Sequence, residues 1–108
     1  MSNDEKQTGD LVKERVVPKV VPKNEEPKLF KVVLMNDDYS TMEFVVQVLE
    51  QVFQKSPAEA FRVMMQVHTQ GSAVAGTYPW EVAETKVETV TKMAKTAGFP
   101  LRAITEEA

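Results

Sequence analysis

The sequence predicts a small α+β domain of order β-α-α-β-α-β, with a three-stranded antiparallel sheet and its helices on one side, behind a flexible N-terminal arm. Three observations predict it. The texture changes from polar and proline-punctuated to apolar and periodic near residue 28. Two Ser-x-x-Glu signals each precede an apolar pattern of helical period. Short β-branched runs bounded by Gly or Pro lie before, between and after the helical stretches. Three strands cannot bury an apolar face alone, so the helices are expected to cover one side of the sheet.

Residues 1–28 carry six acidic and six basic side chains and the tandem tetrapeptide VVPK-VVPK, Val16 to Lys23, followed by Pro27. Proline every fourth residue excludes helix and favours an extended path. Too little apolar surface is present to offset the entropy of ordering the segment. The expected division is therefore an arm over 1–28 and a folded domain over 29–108.

LFKVVLM, residues 29–35, reads as the first strand, ended by the Asn36-Asp37-Asp38 turn. Ser40-Thr41-Met42-Glu43 has capping-box form, with Ser40 as the cap and Glu43 reaching back. The helix it opens should run to about Lys55, with a core stripe of Met42, Val45, Val46, Leu49, Val52 and Phe53. Ser56-Pro57-Ala58-Glu59 repeats the signal with Pro at the first helical position, and Gly71 should stop that second helix after Gln70. SAVAGTY, residues 72–78, reads as a strand in which Gly76 marks a bulge or close packing. Pro79 starts a third helix to about Ala97, its stripe Ala83, Val87, Val90, Ala94 and Ala97, with Glu88 and Lys92 paired outside. Gly98 and Pro100 end it, and Leu101 to Thr105 makes the last strand.

Composition narrows the function. There is no Cys, which removes disulfides, thiol nucleophiles and zinc ribbons, and the single His argues against a transition-metal site. A net charge of −3 gives no nucleic-acid footprint. No apolar run approaches the roughly 18–20 residues of a membrane span. A monomeric cytoplasmic protein without metal or cofactor is expected.

Met64, Val67 and His68 fall at i, i+3 and i+4 on the second helix, so they share a face. Met42 and Val45 do so near the start of the first. If these helices pack antiparallel, the end of the second lies beside the start of the first and beside the Asn-Asp-Asp turn. A small cavity would then have apolar walls and a polar mouth of Asn36, Asp37 and His68. Such a site suits a cation joined closely to an apolar group, as in a free peptide N-terminus with a bulky first side chain. An α-ammonium has three donors and seeks carboxylate and carbonyl acceptors, and a neutral imidazole nitrogen can supply another.

The segments LMNDDYSTMEFVVQVLEQVF, AFRVMMQVH with its following Gly, EVAETKV and GFPL resemble the ClpS family of adaptors in bacterial regulated proteolysis. The similarity runs from about Lys28 to the C-terminus with the motifs in order. It implies capture of N-degron proteins that begin with Leu, Phe, Tyr or Trp. It also implies delivery to a ClpA-type AAA+ unfoldase coupled to the ClpP peptidase. By the resemblance, Asn36, Asp37 and His68 hold the α-amino group. Met42, Val45, Met64, Val67 and Leu101 line the side-chain pocket, Met42 as gatekeeper against β-branched residues. Asp38 and Ser40 lie at the rim, and Glu81 and Lys86 contact the unfoldase's N-terminal domain. The arm is what such adaptors thread toward the unfoldase. Thr41 stands where the family usually has Pro, and Trp80 and the VVPK repeat match no family feature.

Two other classes compete. A hydrolase would use Ser40, His68 and Asp37 or Asp38 as a triad, but Ser40 is expected to be occupied as a cap and no G-x-S-x-G elbow is present. A scaffold module is the other, because the βααβαβ outline also resembles the C-terminal domain of the ribosomal stalk protein. It would bind neither a free nor a blocked peptide N-terminus.

Overall fold

The computed structural model describes residues 26–108, and the VVPK repeat and most of the expected arm lie outside the described residues. Strand β1 spans Leu29–Met35, helix α1 Met42–Gln51, α2 Pro57–Gln70, strand β2 Ser72–Pro79, helix α3 Trp80–Ala97 and strand β3 Arg102–Glu107. This is the expected order. The sheet runs β2-β1-β3 with both pairings antiparallel, so the first strand in sequence is the central one in space.

Alternation along β1 sends Phe30, Val32 and Leu34 to one face. Val32 and Leu34 are fully buried there beneath the helices. Leu34 sits between Ala73 on β2 and Ala103 on β3, and these small neighbours leave room for helices to approach the sheet. Val33 points to the opposite face, between Val74 and Ile104. It is buried but stands outside the main core cluster.

The expectation at Gly76 holds in both of its forms. Val32 faces Gly76 while Val33 faces Val74, which leaves Ala75 as the extra residue of a β-bulge. The Tyr78 ring also lies directly over Gly76: a Cβ there would meet ring carbons at 2.6 and 2.7 Å. Tyr78 in turn packs near Phe53, their ring centres 6.4 Å apart.

Helix α2 begins as read and both later helices end as read, while α3 begins at Trp80 with Pro79 as its N-cap and the last residue of β2. Ser56 caps α2 by accepting the Glu59 amide at 3.2 Å, with Pro57 at its first position. Gly71 closes α2 at φ 91°, and Gly98 closes α3 at φ 82°. In each case a left-handed residue lets amides turn back onto orphan carbonyls, Gly71 onto Val67 and Phe99 onto Ala94.

Four further details of the helices differ from expectation. Thr41, not Ser40, caps α1, its hydroxyl accepting the Phe44 amide at 3.1 Å. Helix α1 ends at Gln51 rather than Lys55, because Gln54 turns left-handed (φ 52°) and the Lys55 amide folds back to Leu49. The apolar stripes are also shifted. Phe44 and Val48 are buried in α1, whereas Met42 is 45% exposed in its first turn and Val46 is half-buried. Ala97, in the last turn of α3, is exposed. Among the described residues, the side-chain ion pairs within 4 Å are Lys28–Glu107 and Glu59–Arg62, so Glu88 and Lys92 do not form the expected pair.

Gly76→Ala should displace the Tyr78 ring and lower stability by roughly 1–3 kcal/mol, the usual cost of overpacking. A denaturant midpoint lower than that of the parent at unchanged m would show it. An unaltered midpoint would mean that the ring moves aside freely.

Candidate functional site

The turn between β1 and α1 is tied down twice. The Asn36 amide donates to the Gly71 carbonyl at 2.9 Å, which fixes the turn against the C-terminal end of α2. Asp37 then organises the residues that follow. Its Oδ1 accepts from the Tyr39 amide at 2.7 Å and the Ser40 amide at 2.6 Å, and its Oδ2 accepts from the Ser40 hydroxyl at 2.7 Å. The expected capping box is therefore replaced: Asp37, not Glu43, receives the Ser40 amide. Partial burial pushes the Asp37 pKa up, but the hydrogen bonds from Ser40 and Tyr39 outweigh it and leave the carboxyl below the usual aspartate value of 3.8.

A carboxylate offers about four lone-pair positions. The two on Oδ1 are filled, and Ser40 takes one of those on Oδ2. One acceptor position on Oδ2 is left over. Ser40's hydroxyl proton points to this carboxylate, an arrangement unlike a serine nucleophile activated by an imidazole.

His68 is exposed in the last turn of α2, three residues before Gly71, so the Asn36–Gly71 bond brings it to the same end of the domain as the turn. On the inner side of α2, Met64 and Val67 are buried. They share one apolar cluster with Val45 and Leu101. Phe44 and Phe99, with ring centres 4.9 Å apart, hold the start of α1 against the segment that leads into Leu101. Met42 stands one turn above Val45 at the surface rather than in the stripe where periodicity put it. Asp38 is exposed beside Asp37.

Glu81 and Lys86 lie elsewhere, on α3. Both line an open groove of about 450 Å³ with Gln51, Gln54, Val82 and Thr85. Glu81 is exposed, but Lys86 is half-buried and reaches across to α1. Its ammonium donates to the Val52 carbonyl at 2.6 Å and to Gln54 Oε1 at 3.2 Å, and sits 5.5 Å from the centre of the Tyr78 ring. A cation on the last carbonyls of a helix satisfies groups that the helix cannot. Sequence reasoning missed this role because the partners are 34 residues apart.

The model of the family described as ATP-dependent Clp protease adaptor protein ClpS matches residues 25–104. The chain belongs to the ClpS family. An ATP-dependent Clp protease adapter protein ClpS from Wolinella succinogenes is 60% identical to this ClpS-family chain over 82 residues, 76% of the chain and 80% of the relative. The protein of the same description from Desulfatibacillum aliphaticivorans is 58% identical over 87 residues, 81% of the chain and 84% of the relative. Among solved structures, Agrobacterium tumefaciens ClpS2 bound to L-phenylalaninamide superimposes with a TM-score of 0.74 at 48% identity. That match covers 77% of this chain and all of the other. The family is one of protease adaptors rather than catalysts. Among the described residues, no helix is long and apolar enough to cross a membrane.

Because Asp37's carboxyl is held below its unfolded value, ionisation stabilises the fold above that value. The contribution is lost as pH falls through the lower folded pKa. Stability of the parent should therefore drop as pH is taken below about 4, and Asp37→Asn should lose less over the same interval. Parallel curves for the two proteins in acid unfolding titrations would show that Asp37 is not the group responsible.

Proposed function

We propose that this protein is an N-degron adaptor. It binds the free α-amino group and bulky first side chain of substrates beginning with Leu, Phe, Tyr or Trp. It then passes them to a ClpA-type AAA+ unfoldase of the ClpP protease. The reading rests most on one observation: Tyr39 and Ser40 fix Asp37 in its turn with a single acceptor position uncommitted, while Val45, Met64, Val67 and Leu101 share one buried apolar cluster. The 48% identical ClpS2 supports it, since L-phenylalaninamide is a free α-amine and a benzyl group joined through one carbon.

In this reading the ammonium donates to Asp37, Asn36 and His68, with Asp38 and Ser40 at the rim. The first side chain enters between α1 and α2, lined by Met42, Val45, Met64, Val67 and Leu101. The gatekeeper role of Met42 fits its surface position, where a long flexible side chain can screen the entrance. Charge-assisted hydrogen bonds contribute roughly 1.5–3 kcal/mol each, and burying a Leu or Phe side chain about 1.5–3 kcal/mol. After the costs of association, micromolar or tighter affinity, about −8 kcal/mol, is within reach. The adaptor acts as a cytoplasmic monomer, needs no cofactor or metal, and meets the unfoldase's N-terminal domain through Glu81 and Lys86. Residues 1–28 serve as the arm threaded toward the unfoldase during handover.

A labelled peptide beginning with Phe should bind, and its N-acetylated twin should bind about a hundredfold more weakly or not at all. Equal affinity for the two in fluorescence anisotropy would refute amine recognition, and failure of both to bind would favour a scaffold. Over the same assay, affinity should decline above about pH 8 as the peptide's own amine loses its proton.

Met42→Ala should extend binding to peptides beginning with Ile or Val by removing the side chain that screens the entrance. A peptide panel on which the variant still rejects both would dismiss the gatekeeper.

A further inference from the structure

The arm's role leaves its VVPK repeat unexplained as a sequence, and the surface around Trp80 has no role at all in this function. Trp80 is 45% exposed and Val82 43%. Phe30 meets Trp80 edge to face with ring centres 5.1 Å apart. Together with Pro27, Pro79 and Glu81 they line an open groove of about 420 Å³. It is an aromatic-walled apolar trough with one carboxylate at its margin. Lys28 also borders it, but its ammonium is 2.9 Å from Glu107, which leaves the Glu81 charge without that partner.

We propose that this groove is the docking site of the chain's own Val16–Lys23 repeat. Grooves walled by aromatic rings take proline-punctuated extended segments, the proline ring stacking on the indole while neighbouring apolar side chains fill the trough. The repeat supplies Pro18 and Pro22, each preceded by two valines, and Lys19 and Lys23 as countercharges for Glu81. Position favours the same occupant. The described chain starts at Glu26 and its Pro27 is already part of the groove wall, so only Asn24, Glu25 and Glu26 separate the repeat from its dock. Three residues suffice for a chain reversal, and their shortness gives the repeat a high effective concentration at the groove. Because the two VVPK units are alike, either can occupy the site.

The consequence rests on the proposed function. Glu81 and Val82 line both this groove and the one shared with Lys86. A docked repeat would therefore lie against one edge of the surface assigned to the unfoldase.

Trp80 is the only tryptophan in the chain, so its emission reports the groove directly. The experiment compares the full chain with a full-length variant carrying Val16→Ser, Val17→Ser, Val20→Ser, Val21→Ser, Pro18→Gly and Pro22→Gly. In the variant, emission should shift to the red and acrylamide quenching should rise about twofold, as an indole face loses its cover. Adding an N-acetylated VVPKVVPK peptide, whose blocked terminus keeps it out of the amine site, should restore the parent's emission saturably. Identical quenching of the two proteins would overturn the proposal. So would protection in the parent that vanishes on dilution, which would assign the groove to a second copy. The readout involves neither N-degron nor unfoldase, so its failure and that of the adaptor reading remain separable.

Discussion

The hydrogen bond from the Asn36 amide to the Gly71 carbonyl is the join on which the candidate site depends. It connects the exit of the central strand to the end of α2, and every polar group assigned to the α-amine lies within a few residues of one end or the other. Gly71 can present that carbonyl because it adopts φ 91°, a conformation that a side chain would strain. The next residue, Ser72, then pairs with Met35, so the same turn that ends a helix starts β2 in register with β1. A local backbone choice at one glycine thereby joins the turn that carries Asp37 to the helix end that carries His68.

Asp37 illustrates how a side chain that holds a turn can also be a candidate for binding. Three of its acceptor positions hold the turn, and this is what keeps the fourth aimed in one direction. Preorganisation of this kind lowers the ordering cost at the moment a ligand arrives. The apolar side of the site works similarly. Val45, Met64, Val67 and Leu101 are members of the main core cluster, so their positions are set by folding rather than by the ligand.

What could be read from the chain was mostly what is local. LFKVVLM, Ser56-Pro57 and the glycines at 71 and 98 each specify their own conformation, and the element order follows from them. Ser40 and Thr41 are adjacent hydroxyls, either of which could cap α1. The choice was made by Asp37, whose carboxylate claims Ser40 and leaves Thr41 at the helix end. Met42 kept helical period but fell in the first turn, where no second layer covers it. Lys86 was legible only as a charge on α3, because its attachment to Val52 depends on how α1 and α3 meet. The ordered motifs named the candidate residues; local bonds from Tyr39 and Ser40 orient Asp37, whereas the Asn36–Gly71 and Lys86–Val52 bonds are tertiary.

The placement of β1 has a mechanical meaning. It is the first element of the domain, directly continuous with the N-terminal segment, yet it lies between β2 and β3 and bonds to both. A tension applied through that segment would load two ladders in shear at once, rather than peel a single edge bond by bond. The point where the chain enters the domain is thus anchored at the middle of its sheet, and a tug there is shared between two seams.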